Sequence, residues 1–479
     1  MAATLTPDLC IIGAGSAGLS IAAGAVQMGA EVVLIEKAAM GGDCLNTGCV
    51  PSKALLAAGK AAAAWRHSPQ FGVTYAPPRV DAQAVHDHVH RVIAAIAPMD
   101  SQERLEGLGV TVIRGEARFL DSRELEVAAE GGAQRVRARR YVVASGSQPL
   151  VPPIPGIDQV DYLTNETVFA LTALPQRLIV IGGGPIGCEL GQAFRNLGAE
   201  VEIVEMGAIL PKDDPELVEV LRRRLRDDGV VLHEQARVVA VEKTPGGLAV
   251  KLQRDGGKSE TLTGSHLLVA AGRKPTLECL GLDAAGIAHD RKGIVVDARL
   301  RSSNKRVYAA GDVAGGLQFT HVAAYHAGVI LKNALFRLPA KADTSACPWV
   351  TYCDPELAQV GMTEALAREN GGEVEVLTWP FAENDRAQAE RRTEGMIKVV
   401  ATPGGMVLGV GIVGPGAGEL ILPWALALSQ GIKLGALAQV IAPYPTLGEV
   451  SKRAAGSHFT PKLFSSRIRW LVRFLARFG

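Results

Sequence analysis

A chain of 479 residues allows about three domains at the usual size of one to two hundred residues each. Its net charge of +1, from 50 Lys and Arg against 49 Asp and Glu, excludes a protein that holds nucleic acid by neutralising phosphates. Seven cysteines are too few, and odd in number, for a disulfide scaffold of this size. A reducing, cytoplasmic setting is therefore expected, in which a close cysteine pair is read as catalytic or metal-binding before it is read as a staple. The opening MAATLTPDLC lacks the charged start and apolar core of a secretory signal, and no apolar run reaches the ~20 residues needed to span a bilayer.

Residues 8–37, DLCIIGAGSAGLSIAAGAVQMGAEVVLIEK, open with an apolar run suited to a strand buried on both faces. Gly13, Gly15 and Gly18 follow in G-x-G-x-x-G spacing, with Ser16 and Ala17 between the last two. A helix-compatible stretch leads to a second β-branched run that ends in Glu36 and Lys37. The first glycine of such a unit makes the tight turn, the second lets backbone approach a pyrophosphate, and the third lets the helix pack on the strand. The helix N-terminus offers unpaired N–H groups to the phosphates, and the acid accepts hydrogen bonds from a ribose diol.

Next comes DCLNTGCVPSK (43–53), where Cys44 and Cys49 stand five positions apart behind Gly41 and Gly42. Pro51 suits the first turn of a helix running through Lys53, Ala54, Leu55 and Leu56. A thiolate at a helix N-terminus is stabilised by the dipole and becomes reactive. A zinc site would need two further ligands at comparable spacing, and none stands nearby, so no metal is expected. A redox disulfide beside a bound flavin is the natural reading. Further on, HDHVH sets His86 and His90 one helical turn apart; without a third ligand, a solvated helix face is the better account.

The first layout returns at 177–206, RLIVIGGGPIGCELGQAFRNLGAEVEIVEM, with Gly182, Gly184, Gly187 and Glu205. In both copies the acid lies 18 residues beyond the last glycine. One glycine pattern is weak evidence, but two complete strand–turn–helix–strand–acid units predict two bound dinucleotides. Glu205 would repel a 2′-phosphate, and no arginine occupies that strand end, which favours NADH over NADPH. Cys10 and Cys188 lie inside these units and read as packing, as do Cys347 and Cys353 farther on; Cys279 carries no signal.

Taken in order, GGDCLNTGCVPSKAL, VVASGSQP (142–149), the second glycine unit with Glu189, LLVAAGRKPT (267–276), VYAAGDVAG (307–315) and PYPTLGE (443–449) resemble the flavin-dependent pyridine nucleotide–disulfide oxidoreductases. That family includes dihydrolipoamide dehydrogenase, glutathione reductase and mercuric reductase, and the resemblance covers roughly 8–460. It implies an α/β fold with two Rossmann-like dinucleotide-binding domains, for FAD and NAD, plus an α+β dimerisation domain. The expected divisions are 1–148 (FAD-binding, first part), 149–276 (NAD-binding), 277–346 (FAD-binding, central part), 347–460 (interface) and 461–479 (tail). It further implies a homodimer in which the partner chain completes each active site.

By the same resemblance, Cys49 is the thiol against the flavin and Cys44 the one that meets substrate, while Lys53 and Glu189 form an ion pair near flavin N5. Glu36 would hold the adenosine ribose, and Asp312 would sit near the ribityl chain. The segment from Gln318, Phe319 and Thr320 to Ala323 would open a helix facing the flavin pyrimidine. Lys37, Gly42, Ser145, Gly146, Gly272 and Gly311 complete the implied cofactor contacts. His321 and His326 fall near the flavin by the same resemblance and are given no chemistry.

The terminal motif departs from that of the disulfide reductases, which carry a proton-shuttling histidine before Pro-Thr. Here Tyr444 takes its place, with Pro445, Thr446 and Glu449 kept. A phenol of ordinary pKa about 10 is a poor base at pH 7 beside an imidazole near 6.5. Mercuric reductases also look tyrosine-bearing here, but they carry a vicinal cysteine pair near the C-terminus, whereas this chain ends LARFG. The leading reading is a disulfide or dithiol oxidoreductase of the dihydrolipoamide dehydrogenase kind. A mercuric-reductase-like reductase of a metal or quinone is the alternative, and a membrane-recruited flavoprotein binding subunit is the reading from another class.

The tail, PKLFSSRIRWLVRFLARFG (461–479), predicts an amphipathic helix with Ile468, Leu471, Val472, Leu475 and Phe478 on one face. Arg469, Arg473 and Arg477 gather on the other. Peripheral contact of 462–479 with the cytoplasmic face of a membrane, or docking of the helix on protein, are the two expectations.

Overall fold

The computed structural model describes residues 4–254 and 256–478. Its first sheet has seven strands, in the order Val307–Ala309, Arg140–Val143, Leu9–Ile12, Val32–Glu36, Thr111–Phe119, Leu125–Ala129 and Gly132–Val136. The first five run parallel, Leu125–Ala129 returns antiparallel to them, and Gly132–Val136 pairs antiparallel with it. Leu9–Ile12 and Val32–Glu36 are buried at every position, as expected of strands covered on both faces. Val307–Ala309 enters beside Arg140–Val143, so this sheet is completed only after the chain has built the second dinucleotide unit.

That second unit forms a parallel sheet in the order Val231–His233, Glu200–Val204, Arg177–Ile181 and His266–Val269. A three-stranded antiparallel sheet, 236–264, flanks it. The C-terminal region is a five-stranded antiparallel sheet, in the order Pro348–Thr351, Glu356–Gly361, Val407–Gly414, Met396–Ala401 and Glu375–Pro380. Trp424, fully buried, packs in its core with Phe381 and Ile412. The α/β class and the mixed α+β C-terminal layer agree with the expectation from sequence.

Two contacts between layers position the chemistry. Helix Cys49–His67 packs on helix Pro185–Leu197, and Gly59 permits it: a Cβ there would lie 3.1 Å from the carbonyl oxygen of Ala193. The close crossing sets Lys53 of one helix against Glu189 of the other. The second contact is polar. Gln192 Nε2 donates to the carbonyl of Asp354 at 2.8 Å, and the Asp354 N–H donates back to Gln192 Oε1 at 2.8 Å. It pins the end of strand Pro348–Thr351 over the same helix.

The tail forms helix Ser466–Leu475, whose N-terminus is capped by Ser465 Oγ accepting from the N–H of Ile468. It stops at Leu475, so Phe478, expected on the helix's apolar face, lies just beyond it. None of the helix's residues is buried. Among the described residues no helix is long and apolar enough to cross a membrane.

Candidate active site

The glycines of the two repeats divide their labour in the same way. Gly13 has φ +107° and Gly182 φ +115°, backbone that favours glycine, and a Cβ on either would stand 2.3 Å from a carbonyl oxygen, of Ala144 or Ala270. A Cβ on Gly18 would come within 1.8 Å of Gly13 O, and one on Gly187 within 1.9 Å of Gly182 O, so these positions are closed by the helix lying on its own turn. The middle glycines differ. Gly184 has nothing within 4 Å, and the nearest atom to a Cβ on Gly15 is Gly42 Cα at 3.9 Å. What excludes a side chain there is not the protein itself; the open space fits a pyrophosphate lying against the backbone.

Helices Ser16–Gln27 and Pro185–Leu197 begin at Gly15 and Gly184 without any side-chain cap, leaving their first N–H groups free for phosphate. The two acids are held alike. Glu36 accepts from the N–H groups of Ala14 and Ala38, each at 2.6 Å, and Glu205 from those of Gly183 and Gly207, at 2.7 and 3.0 Å. Each carboxylate is thus fixed at its strand end by backbone. Both units fit a dinucleotide.

Both sulfurs of the redox motif are free thiols. Cys44 sits in the short helix Gly42–Asn46, and Cys49 is the first residue of helix Cys49–His67, with Pro51 in its first turn as expected. A hydrogen bond from Cys44 lowers the Cys49 pKa to about 6. Burial opposes this; Thr320, whose Oγ1 lies 3.5 Å from Cys49 Sγ, and the Lys53 charge assist. The same shared bond pushes Cys44 above the ordinary thiol range, helped by burial. At pH 7 a thiol of pKa near 6 is roughly nine-tenths thiolate, against a few per cent for one near 8.5. The pair is therefore polarised, with Cys49 the anion and Cys44 the proton holder.

Lys53 Nζ meets Glu189 Oε2 at 2.8 Å and lies 4.4 Å above the ring of Tyr352. Burial works against the lysine's charge, but the Glu189 carboxylate outweighs it and raises the pKa. Glu189, with its side chain only 6% exposed, spends its other oxygen on the N–H of Tyr352 at 2.9 Å. Tyr352 has no motif around it and is invisible in the sequence. Ser147, also missed, donates to Asp312 and accepts from Arg273 Nε at 2.8 Å, while Arg273 reaches Asp43 at 3.4 Å. Arg273 follows Gly272 inside the quoted LLVAAGRKPT, a signal that could have found it. Burial raises the Asp312 pKa, and the Ser147 bond and Arg273 restrain the rise.

The remaining expected residues fall in several places. Ser145 Oγ donates to the carbonyl of Thr276 at 2.7 Å, and Gly146 O accepts from the Thr276 N–H. Gly272 O accepts from Leu150 N, and Gly311 opens a short turn at φ +69°. Gln318 leads into helix Thr320–Ala334, Phe319 is its N-cap, and its ring stacks on His321. Lys37 turns away to Glu116 at 3.2 Å. His86 and His90 stack on each other, and no group of three metal-ligating side chains occurs among the described residues. Tyr444 is 70% exposed, and its hydroxyl donates to Asp385 at 2.8 Å rather than to Glu449, which starts helix Glu449–Ser457. Nothing within one chain bonds Tyr444 to Cys44 or Cys49.

Residues 7–327 match the family described as pyridine nucleotide-disulphide oxidoreductase, and 347–455 match its dimerisation domain. The chain belongs to this family. It is 38% identical to a mercuric reductase of Lysinibacillus sphaericus, over 94% of this chain and 82% of that one. It is likewise 38% identical to a dihydrolipoyl dehydrogenase of Thermus scotoductus, over 94% and 97%. Among solved structures it is similar to LpdA of Mycobacterium tuberculosis, at 29% identity, TM-score 0.86, and coverage of 95% of this chain and 99% of that one. A second is the HOCl-induced flavoprotein disulfide reductase RclA of Escherichia coli, at 28%, 0.83, 94% and 99%. The chain is a disulfide oxidoreductase of a flavin-dependent, pyridine-nucleotide-using family, and it carries that family's dimerisation domain.

The glycine geometry separates binding from folding. Gly184→Ala is expected to leave the melting temperature nearly unchanged and weaken dinucleotide affinity at least tenfold, by titration. Gly187→Ala should instead cost about 1–3 kcal/mol of stability, the range for overpacking. Equal melting temperatures in the two variants would contradict the division. For the sulfurs, alkylation of Cys49 in reduced protein should follow a midpoint near pH 6. Lys53→Met should move that midpoint upward, and a wild-type midpoint above 8 would contradict the assignment.

Proposed function

We propose that the chain carries electrons from NADH, through FAD, to the Cys44–Cys49 couple and from there to a disulfide or another thiophilic acceptor. Bound FAD supplies the two-electron relay between nicotinamide and sulfur. Two electrons and two protons open the Cys44–Cys49 disulfide to the dithiol. Cys49, as the thiolate, would face the flavin. Cys44 would give its proton to solvent, attack one sulfur of a disulfide acceptor and release the other as thiol. Cys49 would then attack Cys44, restoring the Cys44–Cys49 disulfide and releasing the second thiol. The observation that carries this reading is the polarised sulfur pair at a helix N-terminus beside the Lys53–Glu189 ion pair. Lys53, held by Glu189, would supply positive charge to a bound flavin.

The first glycine unit, with Glu36, Ser145, Gly311, Asp312 and Thr320, is the proposed FAD site. The second, with Glu205 and Gly272, is the proposed nicotinamide-nucleotide site, and Glu205 is the ground for preferring NADH. The partner of the homodimer would bring Tyr444 and Glu449 to the mouth of the sulfur site. A cytoplasmic setting, with contact to a membrane face through 462–479, belongs to the same reading.

Tyr444 favours a second acceptor class. Its hydrogen bond to Asp385 raises the phenol pKa, so the tyrosine holds its proton more firmly than an unbonded phenol. A soft metal ion captured by thiolate needs no proton shuttle at that point, and the mercuric reductases among the relatives fit such use.

Anaerobic reduction followed by a panel of acceptors (lipoamide, glutathione disulfide, Hg(II), a soluble quinone) separates these readings. NADH is expected to reduce the protein faster than NADPH, and Glu205→Ala should narrow the gap. Tyr444→His should raise disulfide turnover while leaving reduction by NADH unchanged. Faster reduction by NADPH, or disulfide turnover indifferent to Tyr444→His, would contradict the respective assignment.

A further inference from the structure

We infer that the tail helix Ser466–Leu475 is an interfacial anchor for a bilayer bearing anionic lipid, with an aromatic ladder set at the headgroup level. The inference rests on the membrane contact proposed above and names its chemistry.

The helix is formed and capped, and none of its residues is buried. Ile468, Trp470, Leu471, Val472, Phe474 and Leu475 are between 38% and 65% exposed, and Phe478 is 75% exposed. At 100° per residue the apolar side chains fill a broad sector centred near Leu471 and Leu475, whereas Arg469 and Arg473 occupy the opposite side and Arg467 interrupts the apolar sector beside Phe474. Trp470 and Phe474 stand on the boundary between the two sectors. Their rings stack at 5.5 Å, and Phe474 meets Phe478 edge-on at 5.2 Å. The Trp470 indole, an apolar ring with one N–H donor at the edge of an apolar face, is what the wet–dry boundary of a bilayer selects, and Phe474 extends its apolar side.

Charge decides the occupant. From residue 450 to 479 there is no Asp or Glu, against Lys452, Arg453, Lys462, Arg467, Arg469, Arg473 and Arg477. None of the four tail arginines makes an ion pair among the described residues. A second copy of the helix laid against the first would gather six arginines with no Asp or Glu on either segment. An anionic lipid surface answers the apolar sector and the unpaired charge together, and arginine stems lie along the acyl boundary while their guanidinium groups reach phosphate. The attachment is reversible, because the helix is too short and too charged to span.

The test uses the full-length FAD-loaded protein and flotation with vesicles of phosphatidylcholine alone or mixed with phosphatidylglycerol. Binding to the mixed vesicles is expected to exceed binding to the neutral ones roughly tenfold and to fall as salt is raised. Arg469→Glu with Arg473→Glu should abolish it, the two Arg→Lys changes should retain it, and Trp470→Ala with Phe474→Ala should weaken it several-fold. Turnover of a soluble acceptor should be the same in all of these. Equal flotation on neutral vesicles would overturn the lipid chemistry while leaving the membrane contact standing. No flotation on either vesicle, or a tail deletion that changes the oligomeric state instead of flotation, would overturn both and leave the sulfur chemistry untouched.

Discussion

The Lys53–Glu189 pair, 2.8 Å long, joins a helix of the first dinucleotide unit to a helix of the second, and the rest of the site is arranged around it. Lys53 lies one turn along from Cys49, so its charge favours the thiolate there, while Glu189 stands one turn into the second unit's helix, beyond the open Gly184. The ion pair thus lies between the place where sulfur is held and the place a nicotinamide nucleotide would enter. Removing Glu189 would strand a cation beside the sulfur pair; removing Lys53 would strand a carboxylate buried to 6% exposure, the more costly of the two errors. Gly59 matters for the same reason. A Cβ there would stand 3.1 Å from Ala193 O, a tight contact at the crossing that brings the two helices together.

Around this pair the protein repeats one solution twice. Both units close the first and third glycines with their own carbonyl oxygens and leave the second open. Both fix an acid at the following strand end with two backbone N–H groups. The Cys44–Cys49 motif occurs only between the copies, so the two similar dinucleotide units differ in that the first alone is followed by a close sulfur pair. Thr320, at the head of helix Thr320–Ala334, brings a third segment to Cys49 from a part of the chain far beyond both units.

What could be read without coordinates were the parts that sterics spells in residue type. Gly13, Gly18, Gly182 and Gly187 admit no other side chain, and a cysteine pair ahead of a helix has few uses. Lys53 and Glu189 were reachable by resemblance, and the packing shows why they meet. Tyr352 could not be found, because its place over Lys53 comes from the Gln192–Asp354 backbone clamp, a contact between residues with no local pattern. Asp385 escaped notice in the same way: a short helix Asp385–Ala389, remote in sequence, supplies the carboxylate that Tyr444 finds, where the motif had pointed to Glu449. The tail's amphipathic pattern was plain, but its end at Leu475 and the absence of any buried residue in it were not.

The account stands on a sulfur anion resting against an isoalloxazine ring, and absorbance reports it directly. Flavin-loaded protein reduced by two electrons in the absence of oxygen should develop a broad band beyond the main flavin absorption, from thiolate-to-flavin charge transfer. It should persist at pH 7, fade below pH about 6 as Cys49 takes up its proton, and vanish in Cys49→Ser. A fully flavinated protein that reduces without ever showing that band, or shows it undiminished in Cys49→Ser, would contradict the central claim.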